Sequence, residues 1–210
     1  MRIKICGITQ AQQGQAIAAL GATALGFICV ERSPRYVGAQ QIQHIIQTLP
    51  TKVDCIGVFA NASLTDLERV LTVAQLTAVQ LHGEETPEFC AQVKQLFPHL
   101  EMIKAFRIKT RDSLSHLPDY VEMVDTFLLD AYHPQQLGGT GKTLNWEMLK
   151  NFRADRPWFL AGGLTADNIL QALEHLTPDG IDLSSGVERS PGDKDMLKVT
   201  QLLKNLRKIN

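Results

Sequence analysis

The sequence lacks the features that mark several classes of protein. Its four cysteines form no C-x-x-C pair, and their wide spacing matches neither a zinc ligand set nor a disulfide framework. No apolar run approaches the roughly 20 residues of a transmembrane helix, and the N-terminus begins with a strand-like segment rather than a signal peptide. Lys and Arg number 21 against 22 Asp and Glu, so charge favours neither a nucleic acid nor a membrane surface as partner. We expect a cytoplasmic protein that binds no metal, nucleic acid or membrane.

The composition is that of an ordinary globular domain. Hydrophobic residues make up 44% of the 210 residues and charged residues 20%. A chain of this length can bury one substantial core, so we predict a single domain over residues 1–210. The sequence does not distinguish a monomer from a homodimer.

Short apolar segments alternate with helix-like segments along the whole chain. The apolar segments are brief, as is usual for parallel strands buried on both faces. The predicted strands are 3–6, 24–30, 55–59, 78–81, 102–106, 126–129, 158–161 and 181–183. The predicted helices are 9–20, 39–49, 64–74, 87–97, 112–117, 145–152, 166–176 and 193–208. Ser63 and Thr86 are expected N-caps, with Pro87 at the first helical position.

Eight strand–helix units within one chain predict a closed barrel. Right-handed βαβ connections place such strands in one parallel sheet, and eight strands are the number that closes a (β/α)₈ barrel. A doubly wound open sheet is the alternative. It usually has fewer strands, and its first turn often carries a G-x-G-x-x-G motif, which this sequence lacks.

The active site of such a barrel lies at the carboxyl ends of the strands, in the loops that follow them. The polar candidates there are Cys6 after the first strand, Arg35 after the second, Gln80 and His82 at the fourth, and Asp130 after the sixth. A thiolate can serve as a base and a protonated carboxyl group as an acid. The first and sixth strands lie three apart around a ring roughly 15 Å across, so their side chains can flank a small ligand. Position alone leaves two alternatives open: Cys6 as a thiol packed in the core, and Asp130 as a carboxylate that caps a loop.

Glycine-rich turns follow the last three strands. They contain Gly139 after the sixth strand, Gly162 and Gly163 after the seventh, and Ser184, Ser185 and Gly186 after the eighth. Glycine lets backbone N–H groups approach an anion, and barrels commonly hold a phosphate after strands seven and eight. These turns therefore predict a phosphate site. The turn at Gly139 does not match a nucleotide P-loop, because Gln136 stands where that motif requires glycine.

Segments at the strand ends together resemble one known family. The first is Lys4-Ile5-Cys6-Gly7-Ile8-Thr9. Those that follow in order are Gly26-Phe27, Ser33-Pro34-Arg35, Gly57-Val58-Phe59, Val79-Gln80-Leu81-His82-Gly83, Leu129-Asp130, Gly138-Gly139-Thr140-Gly141, Ala161-Gly162-Gly163-Leu164 with Asn168, and Ser184-Ser185-Gly186-Val187-Glu188. Their joint order, over nearly the whole chain, resembles phosphoribosylanthranilate isomerase of tryptophan biosynthesis.

The resemblance implies a (β/α)₈ barrel and a cofactor-free Amadori rearrangement. N-(5-phosphoribosyl)anthranilate would become 1-(o-carboxyphenylamino)-1-deoxyribulose 5-phosphate. Asp130 is implied to be the general acid that opens the ribose ring. Cys6 is implied to be the general base that removes the proton from the adjacent sugar carbon.

The same resemblance implies which residues bind each end of the substrate. Arg35 is implied to face the anthranilate carboxylate, and the loops at Gly163 and at Ser185-Gly186 to hold the phosphate. We expect Arg35 to lie beside Cys6 and away from the phosphate loops. Gln80 and His82 match family positions without an assigned chemical step.

Other functions fit parts of the pattern. Indole-glycerol-phosphate synthase shares the phosphate loops, but is expected to carry catalytic lysines at strand ends and an N-terminal extension. A bifunctional sugar isomerase of the histidine pathway is expected to have aspartate in place of Cys6. A phosphosugar-binding barrel without catalysis needs neither Cys6 nor Asp130, so the presence of both favours the isomerase.

Overall fold

Eight parallel strands close into a barrel in this computed structural model, which describes residues 1–50, 52–131 and 145–208. The strands are β1 (Arg2–Cys6), β2 (Ala24–Ile28), β3 (Asp54–Phe59), β4 (Ala78–Leu81), β5 (Glu101–Ile108), β6 (Thr126–Ala131), β7 (Trp158–Leu160) and β8 (Gly180–Leu183). The ring closes because β1 pairs with β8, with Arg2 opposite Gly180 and Ile5 opposite Leu183. The predicted (β/α)₈ barrel is confirmed.

Helices follow the strands and cover the outside of the barrel. They are α1 (Ala11–Leu20), α2 (Ala39–Gln47), α3 (Leu64–Ala74), α4 (Pro87–Leu96), α5 (Ile169–His175) and α6 (Met196–Leu206). Both predicted N-caps are confirmed, because the Ser63 and Thr86 side chains accept hydrogen bonds from N–H groups in the first turns of α3 and α4. Among the described residues, no helix is long and apolar enough to cross a membrane.

Three predicted helices differ from those observed in type or in the structure at their start, and four others differ only in their bounds, by one to three residues. Helix 112–117 is a 3₁₀ helix, Arg111–Tyr120, and helix 145–152 is a single 3₁₀ turn, Trp146–Leu149. Pro118 lies inside the first and has no N–H for an α-helical ladder. The predicted start of helix 193–208 was also wrong. Asp193–Lys194 forms β10, antiparallel to β9 (Glu188–Ser190), and α6 begins after Asp195, whose carboxylate caps it.

The inside of the barrel is filled by small and apolar side chains from consecutive strands, β2 to β7. This inner cluster comprises Ala24, Ile56, Ala78, Ile103, Ala105, Leu128, Phe159 and Ala161. Side chains alternate along a strand, so Lys4 and Cys6 point to the same side of β1. Lys4 lies in register with Ala24, which places both β1 side chains in the interior. Polar side chains of β1 therefore face the barrel interior toward the carboxyl end of the strand.

Candidate active site

A cavity of about 690 Å³ opens at the carboxyl ends of the barrel strands. It is lined by every candidate residue that the structure describes: Cys6, Arg35, Gln80, His82, Asp130, Gly162, Gly163, Ser184, Ser185 and Gly186. The remaining candidate, Gly139, and the turn at 138–141 lie outside the described residues. Within the described part of the chain, no group of three or more His, Cys, Asp or Glu side chains is arranged to hold a metal ion.

Cys6 ends β1 with its thiol buried among charged groups. Burial raises the pKa of the Cys6 thiol above its ordinary value, the ammonium groups of Lys4 and Lys194 lower it, and the carboxylate of Asp182 raises it. Lys4 Nζ lies 3.0 Å from Asp182 Oδ1, and both side chains are almost fully buried. Gly26 of β2 leaves room for the thiol, since a Cβ there would lie 2.7 Å from Cys6 Sγ. The two cations favour the thiolate that a base requires.

Asp130 lies near the end of β6, with one carboxylate oxygen fixed and the other facing His82. Its Oδ1 accepts a hydrogen bond of 2.8 Å from the N–H of Ala131. Its Oδ2 lies 3.3 Å from His82 Nε2, although the direction is not that of a hydrogen bond. Gly162 allows this arrangement, because a Cβ there would lie 3.0 Å from Asp130 Oδ1 and still closer to the backbone of Ala131.

The Gln80 amide contacts the His82 ring. Gln80 Nε2 lies 2.8 Å from His82 Nδ1, and the other ring nitrogen, Nε2, faces Asp130. Both side chains are buried. Gln80 and His82 thus form one wall of the cavity beside the candidate acid.

A buried ion pair holds the loop that carries His82. Lys104 Nζ lies 3.0 Å from Glu85 Oε2 and also donates to the carbonyl oxygen of Gly83. Glu85 in turn accepts hydrogen bonds from the N–H groups of Gly83 and Asn61. These contacts fix the backbone that follows β4.

The turns after β7 and β8 pack directly on each other. A side chain on Gly186 would collide with the carbonyl oxygen of Leu164, so glycine is required there. Asn168 closes the other turn by donating to the Gly163 carbonyl oxygen and accepting from the N–H of Thr165. Ser184 Oγ is buried and has no hydrogen-bond partner among the described residues. Ser184 also lines the cavity, with its hydroxyl group unpaired over the ranges that the structure describes.

Arg35 does not lie where we expected it. A Cβ on Gly7 would lie 2.8 Å from Arg35 Cδ and 3.2 Å from Ser184 Oγ, so Arg35 lies next to the β8 turn rather than away from it. The reason is Glu188, which follows that turn. Arg35 donates from Nε to Glu188 Oε1 at 3.0 Å and from Nη2 to Oε2 at 2.7 Å.

Sequence reasoning missed five charged residues around the site. These are Lys4, Asp182, Glu188, Lys194 and Arg107. A signal for the first two exists, because each lies in an apolar strand two residues before a candidate, Cys6 or Ser184, and so shares its face. Charged residues are almost never fully buried unless they are paired, so each of the two predicts a partner.

Comparisons with known proteins converge on one family. A family model described as N-(5'phosphoribosyl)anthranilate (PRA) isomerase matches residues 3–205. The N-(5'-phosphoribosyl)anthranilate isomerase of Crocosphaera subtropica is 81% identical over 210 residues, which cover 100% of both chains. The crystal structure of phosphoribosyl anthranilate isomerase from Thermotoga maritima has a TM-score of 0.90 at 34% identity, over 99% of each chain. A structure of such an isomerase in complex with reduced 1-(o-carboxyphenylamino)-1-deoxyribulose 5-phosphate has a TM-score of 0.85 at 31% identity, also over 99% of each chain.

Proposed function

The chain belongs to the N-(5′-phosphoribosyl)anthranilate isomerase family and catalyses that isomerisation in tryptophan biosynthesis, and we propose that Cys6 is its general base and Asp130 its general acid. One observation carries the assignment: the two side chains end β1 and β6 and line the same cavity. We place the reaction in the cytoplasm, with a small phosphosugar as the partner of the site. The assignment is tested by the substitutions argued in the Discussion.

The chemistry needs one proton donor and one proton acceptor. Asp130 gives its proton to the ribose ring oxygen as the C1–O bond breaks, and the nitrogen lone pair forms a C=N bond. Cys6 takes the proton from C2, and the C–H electrons form the C1=C2 bond while the nitrogen becomes neutral. The resulting enolamine tautomerises to the ketone. Atoms and electrons balance without an oxidant or a metal, because the imine nitrogen is the electron sink, and positioned groups suffice.

The phosphate is proposed to bind at the turns after β7 and β8. Ser184→Ala is then expected to weaken the binding of inorganic phosphate, measured by isothermal titration calorimetry, by roughly 10-fold or more. The reason is that a hydrogen bond to a charged group contributes about 1.5–3 kcal/mol, and about 1.4 kcal/mol corresponds to tenfold. Ser190→Ala, at an exposed position of β9, is the matched control and should bind phosphate like the wild type.

Crystals grown with sulfate provide the second arm of this test. We expect an anion held by the backbone N–H groups of Gly163 and of Ser185-Gly186. Unchanged phosphate affinity in Ser184→Ala, with an anion found only at the turn at 138–141, would assign the phosphate to a different loop.

Arg35 is proposed to bind the anthranilate carboxylate through the nitrogen that Glu188 leaves free. Arg35 Nη1 has no hydrogen-bond partner among the described residues, and the side chain lines the cavity. Arg35→Met should therefore raise KM for the carboxylated substrate by roughly 10- to 150-fold, the equivalent of a charged hydrogen bond. The inhibition constant of ribose 5-phosphate, which has no carboxylate, should rise by a much smaller factor, because Arg35 lies near the β8 turn but is proposed to bind only the carboxylate. Both constants come from the decrease in substrate fluorescence.

Arg32→Met is the control for this experiment, because Arg32 is exposed and also lines the cavity. It should change neither constant by more than a small factor. If Arg35→Met weakened both ligands equally, Arg35 would be a general attractor of anions. If it changed neither, Arg35 would bind neither end of the substrate.

A further inference from the structure

Three buried charges meet between the loops that follow β1, β2 and β8. Glu188 accepts from Arg35 through both carboxylate oxygens, and its Oε1 also lies 2.7 Å from Lys194 Nζ. Lys194 Nζ donates in addition to the carbonyl oxygen of Cys6. The exposed fractions of the side chains are 10% for Arg35, 4% for Glu188 and 0% for Lys194. The cluster is therefore shielded from water and connects two residues of the proposed site.

The Glu188 carboxylate is paired with two basic side chains, Arg35 and Lys194. Burial alone would raise the pKa of Glu188, but its hydrogen bonds with Arg35 and Lys194 and their charges outweigh burial, so its pKa lies below the ordinary value. Burial lowers the pKa of Lys194, and the contact with Glu188 opposes that change. Glu188 is accordingly ionised at neutral pH.

The contact with Glu188 restricts how Arg35 can turn. The Nε and Nη2 edge of the guanidinium faces the carboxylate, and this paired geometry fixes the plane of the group. Gly192 holds the carboxylate from the other side, because its N–H donates to Glu188 Oε1. Nη1 is the nitrogen left for a ligand.

We propose that Glu188 is a positioning residue, which holds the Arg35 guanidinium in the orientation that binds the substrate carboxylate, while Lys194 binds the Glu188 carboxylate and joins it to the backbone of Cys6. This inference depends on the proposed role of Arg35. A free arginine side chain loses rotamer freedom when a ligand fixes it, whereas Arg35 is ordered beforehand. Ordering a long side chain weakens binding by roughly 2- to 13-fold.

Glu188→Gln tests the proposal, because glutamine keeps the shape and removes the charge. We expect KM for the carboxylated substrate to rise by roughly 2- to 13-fold, and by more if Arg35 turns away from the cavity. The inhibition constant of ribose 5-phosphate should stay unchanged, and kcat should fall less than KM rises. In an Arg35→Met background, Glu188→Gln should add little to KM, since a positioning residue acts only through the residue that it holds.

Two further variants keep the test decisive. If Glu188→Gln unfolds because Lys194 is left buried and unpaired, the pair Glu188→Gln with Lys194→Met removes both charges, and the same KM increase is expected. Thermal unfolding monitored by circular dichroism reports the fold of each variant. Asp66→Asn is the matched control, because Asp66 forms an exposed ion pair with Arg69 on α3 and neither residue lines the cavity, and its KM should equal that of the wild type.

The outcomes separate this inference from the proposed function. If Arg35→Met raises KM while a folded Glu188→Gln keeps the wild-type value, the positioning role is wrong and the role of Arg35 stands. Fully additive effects of Arg35→Met and Glu188→Gln would also overturn the positioning role. If Arg35→Met leaves KM unchanged, the proposed role of Arg35 is wrong and the inference is lost with it.

Discussion

Replacing Cys6 with alanine is expected to lower kcat by about 10²- to 10⁴-fold, the range for a general acid–base group. Cys6 ends β1 inside the cavity, and alanine has no group that can take the proton from C2 of the sugar. The change removes one sulfur atom at the rim of the barrel, so the variant should fold. The rate is measured as the loss of substrate fluorescence under saturating conditions.

Cys29→Ala provides the matched control, because Cys29 follows β2 on the same side of the barrel. Burial raises the pKa of Cys29 to about 12, so its thiol stays protonated at neutral pH, and the variant should keep the wild-type kcat. The pH profile adds a second readout. Burial raises the pKa of Cys6, so the limb of the kcat/KM profile that reports ionisation of this thiol should lie in the alkaline range. Wild-type turnover in folded Cys6→Ala would remove Cys6 from the mechanism.

The barrel was predictable because its strands are short apolar runs, which the hydrophobic pattern marks directly. The prediction for β4 matches the observed bounds, Ala78–Leu81, and α3 likewise matches at Leu64–Ala74. The segment Arg111–Tyr120 was harder, because α and 3₁₀ helices have similar hydrophobic periods. Asp193–Lys194 was assigned to a helix because two residues carry too little pattern to mark a strand.

The site was predictable as far as strand ends determine it. Cys6 and Asp130 meet in one cavity because a closed barrel brings the carboxyl ends of β1 and β6 to one rim. The surroundings of Arg35 were not predictable in this way. Its partner Glu188 is 153 residues away in the sequence, and each residue alone reads as an exposed charge. Which distant charges are buried together is decided by packing, which no local pattern records.

Replacing Asp130 with asparagine is the second substitution with a large expected effect, again about 10²- to 10⁴-fold in kcat. The amide has nearly the same shape, and its oxygen can keep the hydrogen bond from the N–H of Ala131, so the fold should survive. The amide is not an acid and cannot protonate the ring oxygen of the sugar. Asp125→Asn, just before β6 at the opposite end of the strand, is the control and should leave kcat near the wild-type value.

Ring opening precedes proton removal from C2, so the roles of Asp130 and Cys6 can be tested separately. A substrate with deuterium on C2 slows only the step in which Cys6 removes that proton. In Asp130→Asn, ring opening should become rate-limiting, so the isotope effect on kcat should shrink below that of the wild type. In Cys6→Ala, proton removal should limit the rate, and the isotope effect should be expressed in full. A full isotope effect in Asp130→Asn would mean that ring opening remains fast without the carboxyl group, and the general acid would then have to be sought elsewhere in the cavity.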